Sequence, residues 1–234
     1  MSELRIPART TAYDPDCTRC PRLATFLERT RQHHPDYWAR PVPSFGAARP
    51  RIAIVGLAPG LHGANRTGRP FTGDHAGLLL YRTLYEAGLA SRPGSSSAGD
   101  GLRLIDVRIV NSVKCVPPQN KPLPAEVRTC NAYLVAELRP LRSVLVYLAL
   151  GRVAHEALLM ALGLPRAGYR FGHGHEHQLD TTRWLIDSYH CSRYNTATRR
   201  LTAAMFQAVV ARACERAALS GRRAAALLPR AAPD

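Results

Sequence analysis

The run Ile52-Ala-Ile-Val55, followed directly by GLAPGLHGANRTGRPFTGD at residues 56–74, decides the fold that the sequence predicts. The apolar run predicts a buried strand. The five glycines and two prolines after it predict an irregular loop whose backbone can approach a ligand closely. Open α/β folds bind their ligands in such loops, at the carboxyl edge of the sheet. We therefore predict a site rather than a plain surface loop, and its chemically informative side chains are Arg66, Arg69, Phe71 and Asp74.

Patterns typical of strands and helices alternate along the rest of the chain. Apolar runs predict further strands at residues 105–113, 144–150 and 184–188. Apolar residues at helical spacing predict helices at 75–89, 124–138 and 151–162, and a last helix that Asn195 or Thr196 caps. This alternation predicts an α/β fold: a three-layer α/β/α sandwich around a central, four-stranded, mainly parallel sheet.

The connections between these elements have distinct compositions. Residues 91–101, rich in serine and glycine, predict a flexible connection. Residues 115–122 contain three prolines and therefore predict a loop, since proline cannot pair in a central strand. Residues 1–220 are expected to form one domain, and residues 221–234, rich in alanine and arginine, a disordered basic tail.

The chain carries a strong positive charge. It has 32 lysine and arginine residues against 17 aspartate and glutamate residues, a formal net charge of +15. Coding bias accounts for arginine in place of lysine but not for this excess, which favours a polyanionic partner, above all nucleic acid. No apolar run of 18 residues and no signal-peptide pattern is present, so we predict no membrane span and a cytoplasmic, nucleoid-associated protein.

Six cysteines in a chain without a secretory pattern favour metal or redox chemistry over a disulfide framework. Cys17 and Cys20 form a CxxC pair, whose spacing lets two thiolates bind one ion. Cys115 and Cys130 lie just after a predicted strand and early in the next helix, so they can fold back on the same site. Four thiolates suit zinc or a four-iron cluster, and the spacing alone does not choose between them. The alternative is four unrelated buried cysteines.

Four ordered motifs resemble the family 5, or type B, uracil-DNA glycosylases: GLAPG at 56–60, GANRTGRPFTGD at 63–74, CVPPQNKP at 115–122 and YHCSRYNTATRRLT at 189–202. The resemblance runs from Cys17 to about Leu219 and includes YWARPVP at 37–43. It implies an α/β/α fold, a [4Fe–4S] cluster on four cysteines, and removal of uracil from DNA as a monomer. It also implies tolerance of other deaminated bases, notably hypoxanthine.

Matched position by position, the resemblance implies a role for each site residue. The cluster ligands would be Cys17, Cys20, Cys115 and Cys130, and the catalytic pair Asp74 and His190. Phe71 would stack on the extruded base, with Asn111, Asn120 and the backbone at Gly56, Leu57 and Ala58 completing the base pocket. Leu57 departs from the wider superfamily, which usually has a polar residue there, so water activation is expected to fall to Asp74.

The residue types agree with this chemistry. An enzyme acting on a base must extrude it from the duplex, and an aromatic ring provides a stacking surface. Breaking the N-glycosidic bond leaves positive charge on the sugar and negative charge on the base, which a carboxylate and a histidine with backbone N–H groups stabilise. The expected DNA contacts come from Arg66, Arg69, Arg193, Tyr194 and Arg199, with the loop around Tyr194 entering the minor groove.

The sequence leaves two other classes of function open. A damage sensor with a structural metal site would flip and hold a base without cutting it, but would have little need for Asp74 beside phosphate. A metal-dependent nucleotide hydrolase would use the glycine-rich loop as a phosphate cradle, but that loop lacks a GK[ST] ending. No lysine in the motif loops suits a Schiff base, which predicts a monofunctional glycosylase without a lyase step.

Overall fold

A computed structural model describes residues 13–219. Its centre is a six-stranded sheet in the order β1-β3-β2-β4-β6-β5. The strands are β1 (Phe45–Gly46), β2 (Ile52–Gly56), β3 (Val107–Asn111), β4 (Val146–Leu150), β5 (Glu176–Gln178) and β6 (Trp184–Ser188). The four inner strands β3, β2, β4 and β6 are parallel, and β1 and β5 pair antiparallel at the two edges.

Both faces of the sheet are covered, as the apolar inner strands require. Along β2, Ile52 and Ile54 face one apolar core while Ala53 and Val55 face the other, because side chains alternate along a strand. The first core is closed by the helices α3 (His75–Glu86) and α7 (Ala203–Arg216). The second is closed by α1 (Pro21–His33), α4 (Pro124–Leu138) and α5 (Arg152–Leu162). The predicted three-layer α/β/α sandwich is confirmed.

Two short helices lie in the loops of the candidate site: α2 (Ala64–Thr67) and α6 (Arg193–Ala197). Asp74 caps α3 by accepting the N–H of Gly77, and Ser192 caps α6 by accepting the N–H of Asn195. A side-chain oxygen at this position satisfies one of the free N–H groups of a helix's first turn.

Two expectations were wrong in detail. The sheet has six strands rather than four, because β1 and β5 are too short to give an alternating pattern of their own. The last helix is two helices: α6 ends at Ala197, and Thr202 caps α7 through the N–H of Met205. Residues 91–101 are irregular, as expected, but are held by hydrogen bonds described below.

The predicted tail at 221–234 lies outside the described residues. Within residues 13–219, no helix has the length and apolar character needed to cross a bilayer.

Candidate active site

A pocket opens at the carboxyl edge of the sheet, where the inner strands end. The register pairs the last residues of β2 and β3, Gly56 with Asn111, and the last residues of β4 and β6, Leu150 with Ser188. The loops that continue β2, β3 and β6 therefore converge, as the position of ligand sites in open α/β sheets predicts. The polar side chains in the pocket wall are His62, Asp74, His75, Asn111, Asn120, His190, Ser192 and Arg193.

Phe71 and Asn111 meet over the end of β2. A Cβ atom on Gly56 would lie 2.5 Å from Asn111 Oδ1 and 3.0 Å from the Phe71 ring, so the bare backbone of Gly56 lets the two side chains come together. Asn111 is 3% exposed, and its Oδ1 has no hydrogen-bond partner among the described residues. A buried amide oxygen left unpaired favours a ligand that donates to it.

Asp74 combines a structural and a site role. Its Oδ1 accepts the N–H of Gly77 at 3.0 Å. Its Oδ2 lies against the glycine-rich loop, where a Cβ on Gly63 would be only 2.4 Å away. Burial raises the pKa of Asp74, against the opposing effect of the backbone N–H groups of Gly77 and Ala76. One carboxylate oxygen is thus fixed by the helix cap while the carboxyl group lines the pocket.

His190 faces Phe71 across the pocket, with ring centroids 5.9 Å apart and ring planes inclined by 27°. Asn195 Nδ2 donates to the His190 carbonyl at 2.8 Å and so fixes the start of this loop. Burial lowers the pKa of His190 to about 4. The imidazole is therefore neutral at pH 7 and can donate one hydrogen bond without carrying charge.

Asn120 lies at the pocket rim, in the short helical turn Pro118–Asn120. Gln119 and Asn120 both have φ of 56°, in the left-handed region that asparagine tolerates better than most residues. The turn exposes Asn120 and brings it towards the base pocket from the side of β3.

Four of the five residues expected to contact DNA are exposed. Arg66 lies on α2 beside the pocket, where its Nε donates to the His62 carbonyl at 2.8 Å. Arg193 lines the pocket, and its neighbour Tyr194 is 72% exposed at the tip of the α6 loop. Arg199 is exposed after α6. Arg193 is thus part of the pocket wall and Arg66 lies next to it on α2, while Tyr194 and Arg199 lie in and after α6.

The expected phosphate contact by Arg69 is wrong. Arg69 is 5% exposed and its Nη2 lies 2.6 Å from Asp100 Oδ1 in a buried ion pair. A buried guanidinium whose charge is already paired cannot reach a phosphate. The sequence hid this because Asp100 lies 31 residues away, in a segment whose composition predicts only a flexible connection.

Sequence reasoning missed His62 and His75. The Tyr37 hydroxyl bonds His62 Nδ1 at 2.9 Å, and His75 Nε2 bonds Thr196 Oγ1 at 2.9 Å. The second bond links the cap of α3 to the α6 loop across the pocket. A signal was present, because His62 stands between two glycines of the site loop and His75 directly follows Asp74.

The four predicted cysteine ligands, Cys17, Cys20, Cys115 and Cys130, line a single cavity together with Leu23, Val113 and Tyr133. Burial raises the pKa of Cys115, and the neighbouring thiols raise it further, as groups that share one site must. Burial also raises the pKa of Cys130 to about 11, although the Lys114 N–H donates to its Sγ at 3.3 Å. With raised pKa values these groups become thiolates only when a bound cation stabilises the charged form, and four cysteines around one cavity are a suitable ligand set for a metal centre.

A second cluster consists of His155, His177 and Asp187, whose ligand atoms all lie within 4.8 Å of one another. His155 Nδ1 bonds Asp187 Oδ1 at 2.7 Å and its Nε2 bonds the Tyr169 carbonyl at 2.9 Å. Both partners are acceptors, so both ring nitrogens must carry hydrogen. Burial disfavours the positive charge of the doubly protonated imidazole, but the hydrogen bond to Asp187 outweighs the effect of burial and raises the pKa of His155. An imidazolium has no lone pair for a metal, so this cluster is an internal ion pair.

Comparison with known proteins gives a family match over most of the chain. Residues 43–214 match the model of the Uracil DNA glycosylase superfamily. This range contains the whole sheet and every pocket residue named above.

Several relatives are similar along most of their length. A type-5 uracil-DNA glycosylase of Thermus thermophilus is 51% identical over 199 residues, which cover 83% of this chain and 90% of the relative. The type-5 uracil-DNA glycosylase of Mycobacterium bovis is 45% identical over 199 residues, covering 81% and 74%. That of Mycobacterium leprae is 45% identical over 197 residues, covering 81% and 86%.

Proposed function

Because this chain belongs to the uracil-DNA glycosylase superfamily, and within it to the type-5 enzymes, we propose that it excises uracil from DNA by hydrolysing the N-glycosidic bond. The product is an abasic site, the starting point of base excision repair. The observation that carries the proposal is the convergence of Phe71, Asp74, Asn111 and His190 on one pocket at the carboxyl edge of the sheet. The sensor alternative is not favoured, since binding alone would not need a buried carboxylate there.

The pocket holds the base outside the duplex. Phe71 offers its ring as a stacking surface, worth about 1–3 kcal/mol for one base. Asn111 Oδ1, buried and unpaired, accepts a hydrogen bond from an imide N–H such as the one uracil presents. Asn120 approaches from the rim, Leu57 and Ala58 line the pocket, and the backbone of Gly56 lies next to Phe71 and Asn111.

Cleavage of the N-glycosidic bond leaves positive charge on the sugar and negative charge on the base, and Asp74 and His190 each stabilise one of these charges. The Asp74 carboxylate stabilises positive charge developing on the sugar and orients the attacking water, with Oδ1 held by the Gly77 N–H. His190, neutral through burial, donates to the departing base anion. A neutral donor suits this step because it keeps its proton while the negative charge develops on the base.

DNA is held by the exposed basic residues around the mouth of the pocket. Arg66, Arg193 and Arg199 neutralise phosphates, which positions the duplex without reading its sequence. Tyr194, the most exposed of the large apolar side chains among residues 13–219, enters the minor groove and fills the space that the extruded base leaves.

The four-cysteine site is proposed to hold a [4Fe–4S] cluster rather than zinc. Around one zinc, with bonds of about 2.3 Å, thiolate sulfurs lie within about 4.6 Å of one another. In the described part of the chain, only His155, His177 and Asp187 bring three such ligand atoms within 4.8 Å. The wider cysteine arrangement favours a cluster, which would be structural and would join α1 to α4 and the end of β3.

Two finer points complete the proposal. The pocket contacts expected for uracil are an acceptor, a stacking face and backbone groups, none of which is unique to a pyrimidine. Other deaminated bases, hypoxanthine above all, are therefore proposed as further substrates. The protein is also proposed to act as a monomer.

The test is base release from a duplex with a single uracil, read as alkali-sensitive strand cleavage, with a hypoxanthine duplex in parallel. Asp74→Asn is the informative variant because asparagine caps a helix as well as aspartate does and removes only the charge. Asp180→Asn, at an exposed turn far from the pocket, is the control. Wild-type cleavage that Asp74→Asn strongly reduces is expected. Salt-sensitive binding without base release would overturn the proposal that the protein is an enzyme. Full activity of Asp74→Asn would overturn the proposed mechanism.

A further inference from the structure

Arg69 is the centre of a buried polar network directly behind the pocket. Its guanidinium donates to Asp100 Oδ1 at 2.6 Å, to the Ala98 carbonyl at 3.1 Å and to Thr72 Oγ1 at 3.0 Å. Further acceptors are Ser95 Oγ and the Ser97 carbonyl, and the guanidinium also lies 4.7 Å from the centroid of the Phe45 ring. This one side chain therefore organises the serine-rich residues 95–100.

Phe71 has a backbone that must be held in place. Its φ of 53° is in the left-handed region, which is unfavourable for a bulky residue. Its carbonyl lies so close to α3 that a Cβ on Gly77 would be 1.9 Å from the oxygen. Such a conformation persists only where its surroundings fix it.

The residues on both sides of Phe71 are fixed by this network. On one side the Tyr81 hydroxyl donates to the Pro70 carbonyl at 2.6 Å. On the other, Thr72 Oγ1 bonds Ser95 Oγ at 2.8 Å, and the Gly73 N–H donates to the Ser95 carbonyl at 3.2 Å. Residues 95–100 thus hold the chain after Phe71, and Arg69 holds residues 95–100.

We propose that the buried Arg69–Asp100 ion pair is a positioning element of the active site, which sets the Phe71 ring for stacking on the extruded base. The inference rests on the proposed function and assigns the role of this pair within it. Neither side chain touches the pocket, so the pair acts through Phe71 and not on the substrate.

The charges of the pair are essential to this role. Both side chains are less than 10% exposed, so removing one charge leaves the other buried and uncompensated. Burial alone would raise the pKa of Asp100, but the Arg69 guanidinium and the N–H groups of Leu102 and Ser96 hold it well below its usual range. Asp100→Asn keeps the shape and hydrogen-bonding oxygen while removing the charge that orients Arg69.

The experiment compares two uncleavable duplexes. One carries 2′-fluoro-2′-deoxyuridine, whose fluorine suppresses the sugar cation, and the other a tetrahydrofuran abasic analogue, which has no base to stack. Dissociation constants are measured for wild type, Asp100→Asn, Phe71→Ala and the double variant. Glu176→Gln is the control, since Glu176 is also a carboxylate paired with arginines but lies beside α7, away from the pocket.

Asp100→Asn is expected to weaken binding of the fluorinated duplex about fivefold to tenfold, because a displaced ring loses part of its stacking energy. Binding of the abasic duplex should stay within about twofold of wild type, as should both duplexes with Glu176→Gln. In the Phe71→Ala background, Asp100→Asn should cause no further loss of affinity for the fluorinated duplex, since the ring that the ion pair positions is absent.

The inference would be overturned if Asp100→Asn weakened binding of both duplexes equally. It would also be overturned if Asp100→Asn lowered the affinity for the fluorinated duplex by the same factor with and without the Phe71 ring. If Asp100→Asn does not fold, Ser95→Ala takes its place, with an expected loss of about twofold to fivefold for the fluorinated duplex only. No loss in that variant would also overturn it. A wild-type protein that binds the fluorinated duplex no better than an undamaged one would instead refute the proposed function.

Discussion

Replacing Gly56 by alanine adds one methyl group at the point where the pocket is tightest. Its Cβ would lie 2.5 Å from Asn111 Oδ1 and 3.0 Å from the Phe71 ring, whereas ordinary contacts of this kind are 3.4–4 Å. Neither neighbour can move freely, because Asn111 ends a buried strand and Phe71 is held by the network around Arg69. The change therefore forces apart the Phe71 ring and the Asn111 amide, the two groups proposed to contact the base.

The magnitude follows from two separate costs. Overpacking of a buried site lowers the free energy of unfolding by about 1–3 kcal/mol. Misplacing the stacking ring removes a contribution of about 1–3 kcal/mol from the transition state, which lowers the rate of base release about fivefold to 150-fold. The second cost should appear at temperatures where the variant is fully folded.

The assay is single-turnover base release from a uracil duplex, with thermal unfolding measured on the same samples. Gly94→Ala is the matched control, since a Cβ there meets no atom within 4 Å. Gly56→Ala should be slow while folded, and Gly94→Ala should match wild type. If Gly56→Ala released the base within twofold of the wild-type rate, the contact between Gly56, Phe71 and Asn111 would have no part in catalysis.

Two further predictions concern protons and the metal centre. Burial lowers the pKa of His190 to about 4 from its ordinary 6.5, so between these values the unfolded chain binds a proton that the folded one does not. The free energy of unfolding should therefore decrease as the pH falls from 6.5 to about 4. Urea titrations should show a smaller decrease for His190→Asn than for wild type. Equal decreases in the two proteins would contradict the argument that burial lowers the pKa of His190. Cys115→Ser should remove the iron, abolish the broad visible absorption of a cluster and lower the melting temperature. Cys214→Ser, outside the cavity, should change neither the absorption nor the melting temperature. If the iron were lost and the melting temperature stayed the same, a structural role of the cluster would be refuted.

The sequence predicts the parallel core because its signals are local and strong. The run at Ile52–Val55 is short, continuous and apolar, and only a strand covered on both faces accommodates that pattern. The glycine-rich loop after it marks the carboxyl edge, so the placement of Phe71 and Asp74 at a site follows from the order of elements alone.

What the sequence could not predict depends on partners distant in the chain. The edge strand Glu176–Gln178 exists only because β6 offers it hydrogen bonds, and three residues show no period of their own. Thr202 was missed as a cap because Asn195 and Thr196, equally suitable residues, come first. Arg69 is the clearest case, since arginine in a basic chain predicts a phosphate contact and only the fold reveals Asp100 beside it.

The pocket wall runs from Leu57 to Arg193 and comes from the ends of β2, β3 and β6 and the loops after them, which are distant from one another in sequence. Such non-local pairings form late in folding, because each one requires a long loop to close first. No contiguous fragment of the chain contains the stacking ring, the carboxylate and the histidine without most of the sheet. Base excision therefore requires the folded domain, whereas electrostatic attraction to DNA needs only the positive charge of the chain. Base release thus reports that the whole domain is folded.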